Sequence, residues 1–307
     1  MNNSFRKLIR QLFAALYMVL LPACDFQGKK EDISPNQLRI ITYNVWYGFT
    51  KVPDRKESWI RWMERQQADI VSLQELNGYT PQQLSNDAKA YGHPYCALLK
   101  EDGFPTGITS RYPISEITRT TKGFHHGLLR AKILDIYFYV VHLHPGNHEI
   151  RNAEVDLILD DVAKLPPDSE VILAGDFNAL AGTDSLHYSS GNLLTFFNEL
   201  DSRYNDKNLN QGKLDYSVID KVVAAGFVDI EAKLKDSTRV FSGSFPTKIE
   251  KEGEHGDQRR LDYIFANKLV VRHMKSASTI ATDTTWLLSD HLPVMSELTL
   301  VEESDID

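Results

Sequence analysis

Along this chain of 307 residues, apolar runs repeatedly stop in an acid, an amide or an imidazole. Ile40-Ile41-Thr42-Tyr43-Asn44 stops at Asn44, Ile70-Val71-Ser72-Leu73-Gln74-Glu75 at Glu75, and Tyr139-Val140-Val141-His142 at His142. Val171-Ile172-Leu173-Ala174-Gly175 runs into Asp176 and Asn178. Arg260-Leu261-Asp262-Tyr263 carries Asp262 in a fifth apolar run, and Leu288-Ser289-Asp290-His291 sets Asp290 and His291 directly before a sixth. If these positions share one edge, they form a pocket of net negative charge, which costs too much unless a cation occupies it. The donors are mostly hard oxygens, which suit Mg²⁺ or Mn²⁺ with water and phosphate completing the shell. His142 and His144 form a His-x-His pair that keeps zinc open, although the acidic remainder favours magnesium or manganese. Singly, each residue has an ordinary explanation, since Asp and Asn are common where strands turn and a buried histidine is more often structural. The segment Lys122-Gly123-Phe124-His125-His126 is equally ambiguous: it presents imidazoles to phosphate, or it is a polar surface turn.

The elements that must position these groups show in the hydrophobic pattern. Leu38–Val45, Asp69–Gln74, Ile133–His142, Glu170–Ala174, Arg260–Phe265 and Leu292–Leu300 read as strands. Ile108–Ser110, followed by Tyr112-Pro113-Ile114, reads as a strand broken by a turn. Segment 54–67 reads as a helix with Trp59, Trp62 and Met63 inward, and 148–165 as a helix with Val155, Ile158, Leu159, Val162 and Leu165 at three- and four-residue spacing. A further helix is expected over 215–225, and 236–258, rich in Gly, Lys, Glu, Ser and Thr, reads as a long loop. Together these predict a layered α/β (α+β) domain of two packed sheets flanked by helices.

Seven markers, in order, resemble the endonuclease/exonuclease/phosphatase superfamily, which has the deoxyribonuclease-I-like fold. They are Tyr43-Asn44-Val45, Leu73-Gln74-Glu75, Ser110-Arg111-Tyr112-Pro113-Ile114, Val141-His142-Leu143, Gly175-Asp176-Phe177-Asn178, Arg260-Leu261-Asp262-Tyr263-Ile264-Phe265 and Ser289-Asp290-His291-Leu292-Pro293-Val294. The resemblance implies a four-layered α/β/β/α sandwich of two facing mixed sheets, with the site at one end. It implies Glu75 as principal metal ligand, helped by Asn44 and Asp290. It implies catalytic roles for Asp176 and Asn178 at the attacking water, for His291 at the scissile phosphate with Asp262 fixing its tautomer, and for His142 at the phosphoryl or leaving oxygens. The expected activity is metal-dependent hydrolysis of phosphate esters, foremost a phosphodiester in nucleic acid or nucleotide. The alternatives are a sugar phosphate, inositol phosphate or lipid headgroup as substrate, or a catalytically inactive surface-binding lipoprotein. Gly175-Asp176-Phe177-Asn178-Ala179-Leu180 and Arg260-Leu261-Asp262-Tyr263 depart from the inositol 5-phosphatase pattern and disfavour that subgroup.

The first residues read as an address. Arg6, Lys7 and Arg10 precede an apolar run from Leu12 to Ala23 that is too short to span a bilayer. Leu21-Pro22-Ala23-Cys24 resembles a bacterial lipoprotein processing site. The expected organisation is therefore a signal peptide over 1–23, a lipid-anchored tether over 24–36 and a catalytic domain over 37–303. The expected location is the bacterial cell envelope, with the membrane held through lipid on Cys24 and the protein otherwise a monomer. A chain starting at Cys24 keeps 31 basic residues against 42 acidic ones, a net charge of −11, which argues against tight nonspecific binding to long nucleic acids. Cys96 is the other cysteine, so a lipidated Cys24 leaves no intramolecular disulfide. Metabolic labelling with a radioactive fatty acid is expected to mark the wild type and not Cys24→Ser. Equal labelling of the two would exclude Cys24 as the anchor.

Overall fold

The computed structural model describes residues 37–234, 241, 243–249 and 254–300; the expected leader and tether, and part of the expected loop over 236–258, lie outside them. Among the described residues the strands are β1 Gln37–Asn44, β2 Ile70–Gln74, β3 Tyr95–Leu98, β4 Gly107–Ser110, β5 Ser115–Thr120, β6 Leu128–Ile133, β7 Ile136–His142, β8 Glu170–Asp176, β9 Leu209–Asn210, β10 Lys213–Leu214, β11 Val228–Asp229, β12 Asp262–Ala266, β13 Met274–Thr279 and β14 Val294–Thr299. The helices are α1 Arg55–Gln66, α2 Pro81–Ala90, α3 His148–Val162, α4 Ser185–Ser189, α5 Leu193–Tyr204, α6 Ser217–Ala224, α7 Ile230–Leu234 and α8 Lys268–Val271.

Two six-stranded mixed sheets result, ordered β13-β14-β1-β2-β4-β3 and β11-β12-β8-β7-β6-β5. Their facing sides share one core, in which Ile40, Ile70 and Leu298 of the first sheet meet Phe138, Val140, Ile172 and Ile264 of the second. Trp59, Trp62 and Met63 of α1 pack with Tyr43 and Leu73 on the outer face of the first sheet. Val155 and Ile158 of α3 and Val218, Ile219 and Val222 of α6 pack with Tyr139, Leu173 and Phe265 on the outer face of the second. The expected four layers are present, and strands buried on both faces explain why runs such as Ile136–His142 carry no polar alternation.

Helix starts follow local chemistry. Thr80 and Gln83 form a capping box around Pro81 at the head of α2. Asn147 caps α3 by accepting from the Glu149 and Ile150 N–H groups. The single strand expected over Ile133–His142 is instead the end of a hairpin. Leu134 and Asp135 take φ of 49° and 63°, and Ile133 pairs with Ile136. A two-residue turn with both φ values positive normally announces itself with Asn or Gly, and neither residue is present here.

Strand register places the chemistry. β1 runs parallel to β2 and antiparallel to β14, so Asn44 ends beside Gln74 while Thr42 faces Val294, just beyond His291. In the other sheet His142 pairs with Asp176 across parallel β7 and β8, and Asp176 pairs with Asp262 across antiparallel β8 and β12. Three chemically active side chains therefore stand abreast on neighbouring strands. Gly175 is what lets β8 lie this close to β7: its φ is +156°, and a Cβ there would lie 1.9 Å from the Val141 carbonyl oxygen. Gly175→Ala must push the two strands apart at the point where His142 and Asp176 meet. It is expected to lower stability by about 3 kcal/mol or more in urea melts. A loss under ~1 kcal/mol would show that the close approach is dispensable.

Candidate active site

At the end of β1, the buried Asn44 side chain spans two carboxylates. Its Nδ2 donates to Glu75 Oε1 and to Asp176 Oδ2, each at 3.2 Å, and its Oδ1 accepts from the Trp46 N–H at 3.0 Å. Glu75 follows β2 at φ +57°, which turns its carboxylate inward, and its Oε2 accepts from the Tyr47 N–H at 2.9 Å. Asp176 Oδ1 accepts from the Asn178 N–H at 2.8 Å, and Asn178, itself at φ +48°, donates through Nδ2 to the Leu143 carbonyl at 3.0 Å. That amide bond leaves Asn178 Oδ1 as its remaining side-chain acceptor.

Two imidazoles flank Asp176. Oδ2 lies 3.7 Å from His142 Nε2 and 3.8 Å from His291 Nε2. The other ring nitrogen of His291 meets Asp262 Oδ2 at 2.7 Å, with both residues buried. Burial alone would depress His291, but Asp262, Asp176 and Asp290 outweigh it and lift its pKa to about 10. The neutral His291 tautomer is therefore disfavoured, and the ring is an imidazolium clamped by a carboxylate. Burial raises Asp176 to about 7, against the opposing pull of His291. His142 goes the other way: burial and then the neighbouring His126 ring hold it well below the ordinary value of 6.5. Its Nδ1 has no hydrogen-bond partner among the described residues, and its ring stacks on His126 at 4.0 Å between centroids and 15° between planes.

All eight residues expected to act, Asn44, Glu75, His142, Asp176, Asn178, Asp262, Asp290 and His291, stand at this one end of the two sheets. Asp176, Asp262 and His291 are the group whose donor atoms all lie within 4.8 Å of one another, which differs from the expected ligand set of Asn44, Glu75 and Asp290. Several supporting residues escaped the sequence reading. Ser244 Oγ accepts from the Leu261 and Asp262 N–H groups at 2.9 and 3.0 Å. Ser289 Oγ donates to the Asn44 carbonyl at 2.7 Å and accepts from the His291 N–H at 3.3 Å. The buried Arg55 guanidinium joins the Val45, Trp46 and Leu288 carbonyls, tying the loop after Asn44 to the one before Asp290. Arg55 had no signal beyond its place in a helix and Ser244 none at all, while Ser289 stood inside a family marker without a role of its own.

Such a sandwich, with acids, amides and imidazoles gathered at one end, defines a hydrolase of phosphate esters. The model of the endonuclease/exonuclease/phosphatase family matches residues 41–291, and the chain belongs to that family. No curated protein matches it in sequence. Among solved structures it is similar to an AP endonuclease from Archaeoglobus fulgidus, with 19% identity, a TM-score of 0.60, and 86% of this chain and 100% of that one covered. It is also similar to the 3′-5′ exonuclease NExo from Neisseria meningitidis, with 14% identity, a TM-score of 0.61, and 85% and 100% covered. A third similar structure is D. rerio TDP2 complexed with a single-strand DNA product, with 18% identity, a TM-score of 0.57, and 85% and 98% covered. At these identities the likenesses establish the fold.

The Asp262–His291 pair sets a testable energetic signature. His291 has an ordinary value of 6.5 and a folded value near 10, so the pair's contribution is fully present below pH 6.5 and is lost as pH rises through 10. In EDTA at pH 6, His291→Ala and Asp262→Asn are each expected to cost roughly 3 kcal/mol, and the double variant little more than the worse single one. Urea melts at pH 6 and pH 10 measure this cycle. Additive losses, or a coupling unchanged at pH 10, would show that the two side chains are not a unit.

Proposed function

We propose that this chain is a metal-dependent phosphodiesterase that cleaves a P–O ester bond in nucleic acid or nucleotides with water as nucleophile. The observation that carries this reading is the placement of Asp176 between two imidazoles of opposite character, His142 and His291. Support for a nucleic-acid substrate comes from the AP endonuclease and exonuclease relatives. The net charge of −8 over the whole chain favours short strands or nucleotides over tight binding to long polymers.

The fit of a cation rests on the donor set. Glu75 and Asp176 approach one amide nitrogen from two sides, Asp262 and Asp290 lie on adjoining elements, and Asp262 Oδ1 is buried without a partner among the described residues. Hard oxygens in this number suit Mg²⁺ or Mn²⁺. Glu75 and Asp290, with the second lone pair of Asn44 Oδ1, would hold the ion, because a ligand role for the tight trio would require His291, lifted to about 10 and held as imidazolium, to give up a ring proton. Bound there, a divalent ion supplies positive charge to the nonbridging phosphate oxygens.

The protein's own groups carry the proton steps. Asp176, raised to about 7, is matched to taking a proton from water near neutral pH, and Asn178 Oδ1 is the acceptor that orients that water. The water oxygen bonds to phosphorus as the ester P–O bond breaks, and the proton taken by Asp176 is returned through solvent to the leaving oxygen, giving an alcohol and a phosphate monoester. His291, held as imidazolium by Asp262, donates to a phosphate oxygen. His142 lines the same position from the neighbouring strand. We also propose the organisation expected from the sequence, with the catalytic domain tethered to the cell envelope through Cys24, where it would act on extracytoplasmic phosphate esters.

Hydrolysis of bis(4-nitrophenyl) phosphate is expected to stop in EDTA and return with Mg²⁺ or Mn²⁺. Glu75→Gln keeps the side-chain volume but removes charge, and is expected to weaken Mg²⁺ binding in calorimetry by about tenfold or more, with kcat reduced in parallel. Wild-type metal affinity and turnover in that variant would remove Glu75 from the ligand set.

A further inference from the structure

We propose that His125, His144 and Lys100 form a second anion subsite beside the catalytic centre, which binds a phosphate of the substrate other than the one hydrolysed. The inference rests on the phosphodiesterase reading and extends it to substrates that carry at least two phosphates.

Four imidazoles make a continuous path out of the catalytic centre. His142, 3.7 Å from Asp176, stacks on His126 at 4.0 Å; His126 meets His125 at 4.4 Å, and His125 meets His144 at 4.3 Å between ring centroids. The inner two rings are buried, His144 is half-buried and His125 is exposed, so the path ends at the surface. A fully buried carboxylate holds its outer end together: Glu154 Oε1 accepts from the His125 N–H at 2.7 Å and Oε2 from the His144 N–H at 2.8 Å. Burying a carboxylate is costly, and these bonds fix two histidines from separate segments in contact.

Ring chemistry selects the ligand's sign. His144 Nδ1 accepts from the Gly146 N–H at 3.0 Å, so the neutral ring carries its proton on Nε2 and presents a donor. A metal would need a lone pair on that nitrogen, whereas a phosphate oxygen needs the N–H. Lys100 adds a full positive charge near enough to depress both His125 and His126, and His125 and His144 depress His126 further. The outer two rings and Lys100 offer N–H donors and one ammonium, and the one carboxylate bonded to these residues, Glu154, is spent on their backbone N–H groups, so an anion meets the remaining donors. The second phosphate is either a terminal monoester or the next diester along a strand, and both offer the same oxygens.

Two experiments test the subsite. In EDTA, inorganic phosphate titrated into the wild-type protein is expected to shift the imidazole Hε1 resonances of His125 and His144, and His144→Gln is expected to weaken that binding. Unmoved resonances would overturn the subsite, as would resonances that respond to Zn²⁺ without EDTA but not to phosphate. Independently, hydrolysis of TpT, with one phosphate, is compared with that of pTpT and TpTpT. Wild type is expected to prefer at least one two-phosphate substrate by about tenfold in kcat/KM, and Lys100→Ala or His144→Gln to cut that preference about fivefold or more. A gain confined to pTpT assigns a terminal phosphate, and one confined to TpTpT an internal diester. Equal rates for all three substrates would overturn the subsite while leaving the phosphodiesterase reading intact. Failure to hydrolyse any of them would overturn that reading, with the phosphate titration still deciding the subsite.

Discussion

Several carboxylates share one end of two facing sheets, and the rest of the site is arranged around that charge. Strand register creates the problem, because β8 brings Asp176 abreast of His142 on one side and Asp262 on the other. Asp176 and Asp262 are buried, so neither is screened by water. Each is handled differently: Asp262 is matched to an imidazolium at 2.7 Å, while Asp176 receives an amide and a backbone N–H and keeps a raised pKa. Glu75, at the edge, takes its donors from Asn44 and Tyr47. Local hydrogen bonds thus offset only part of the repulsion, and the balance is what a divalent cation would supply.

Holding the loops that carry these groups has its own cost. Trp46, Tyr47, Gly48 and Phe49 all have positive φ, and for residues with a side chain this costs on the order of 1–2 kcal/mol each. The left-handed turn survives because the surroundings fix it. The Tyr47 N–H bonds Glu75 Oε2, the Gly48 N–H bonds the Glu75 carbonyl, and Arg55 gathers the Val45 and Trp46 carbonyls while its guanidinium lies over the Trp46 and Phe49 rings. The same arginine reaches the Leu288 carbonyl, so the loop leaving Asn44 and the one leading to Asp290 cannot shift independently. Backbone strain next to the carboxylates is therefore coupled to their placement.

Much of this was legible in sequence because apolar runs long enough to cross a buried sheet end in residues that an apolar environment rejects. Asn44, His142 and Asp176 are the last residues of their strands, and Asp262 is the first of β12. What escaped was whatever lacked that contrast. β5, mostly exposed and reading Ser-Glu-Ile-Thr-Arg-Thr, has no apolar run to mark it. Leu134 opens its turn at a positive φ that leucine rarely adopts, and no glycine follows to mark it. Arg55 gave the pattern of an ordinary helix residue, and only the tertiary fold reveals three carbonyls around it. The His125–His126 segment stayed ambiguous because its meaning depends on His142 and His144, which come from a different strand and loop.

The two catalytic-centre histidines show how one residue type acquires two states in one site. His291 and His142 approach the same Asp176 oxygen at nearly the same distance, 3.8 and 3.7 Å. Their remaining neighbours decide the difference. Asp262 on the far side of His291 makes the charged ring the stable one. Among the described residues, the far side of His142 meets the face of His126 and not a carboxylate, so a proton on His142 would be buried beside another imidazole and face a third in His291. Pushing two chemically identical groups in opposite directions is how a site keeps an acid and a neutral partner side by side at one pH. In the proposed reaction the division has a direct use: the imidazolium meets the charge that grows on phosphate, and the neutral ring adds no second cation to repel it. Asp176, raised between them, then remains the group whose affinity for a proton matches that of its surroundings near neutrality.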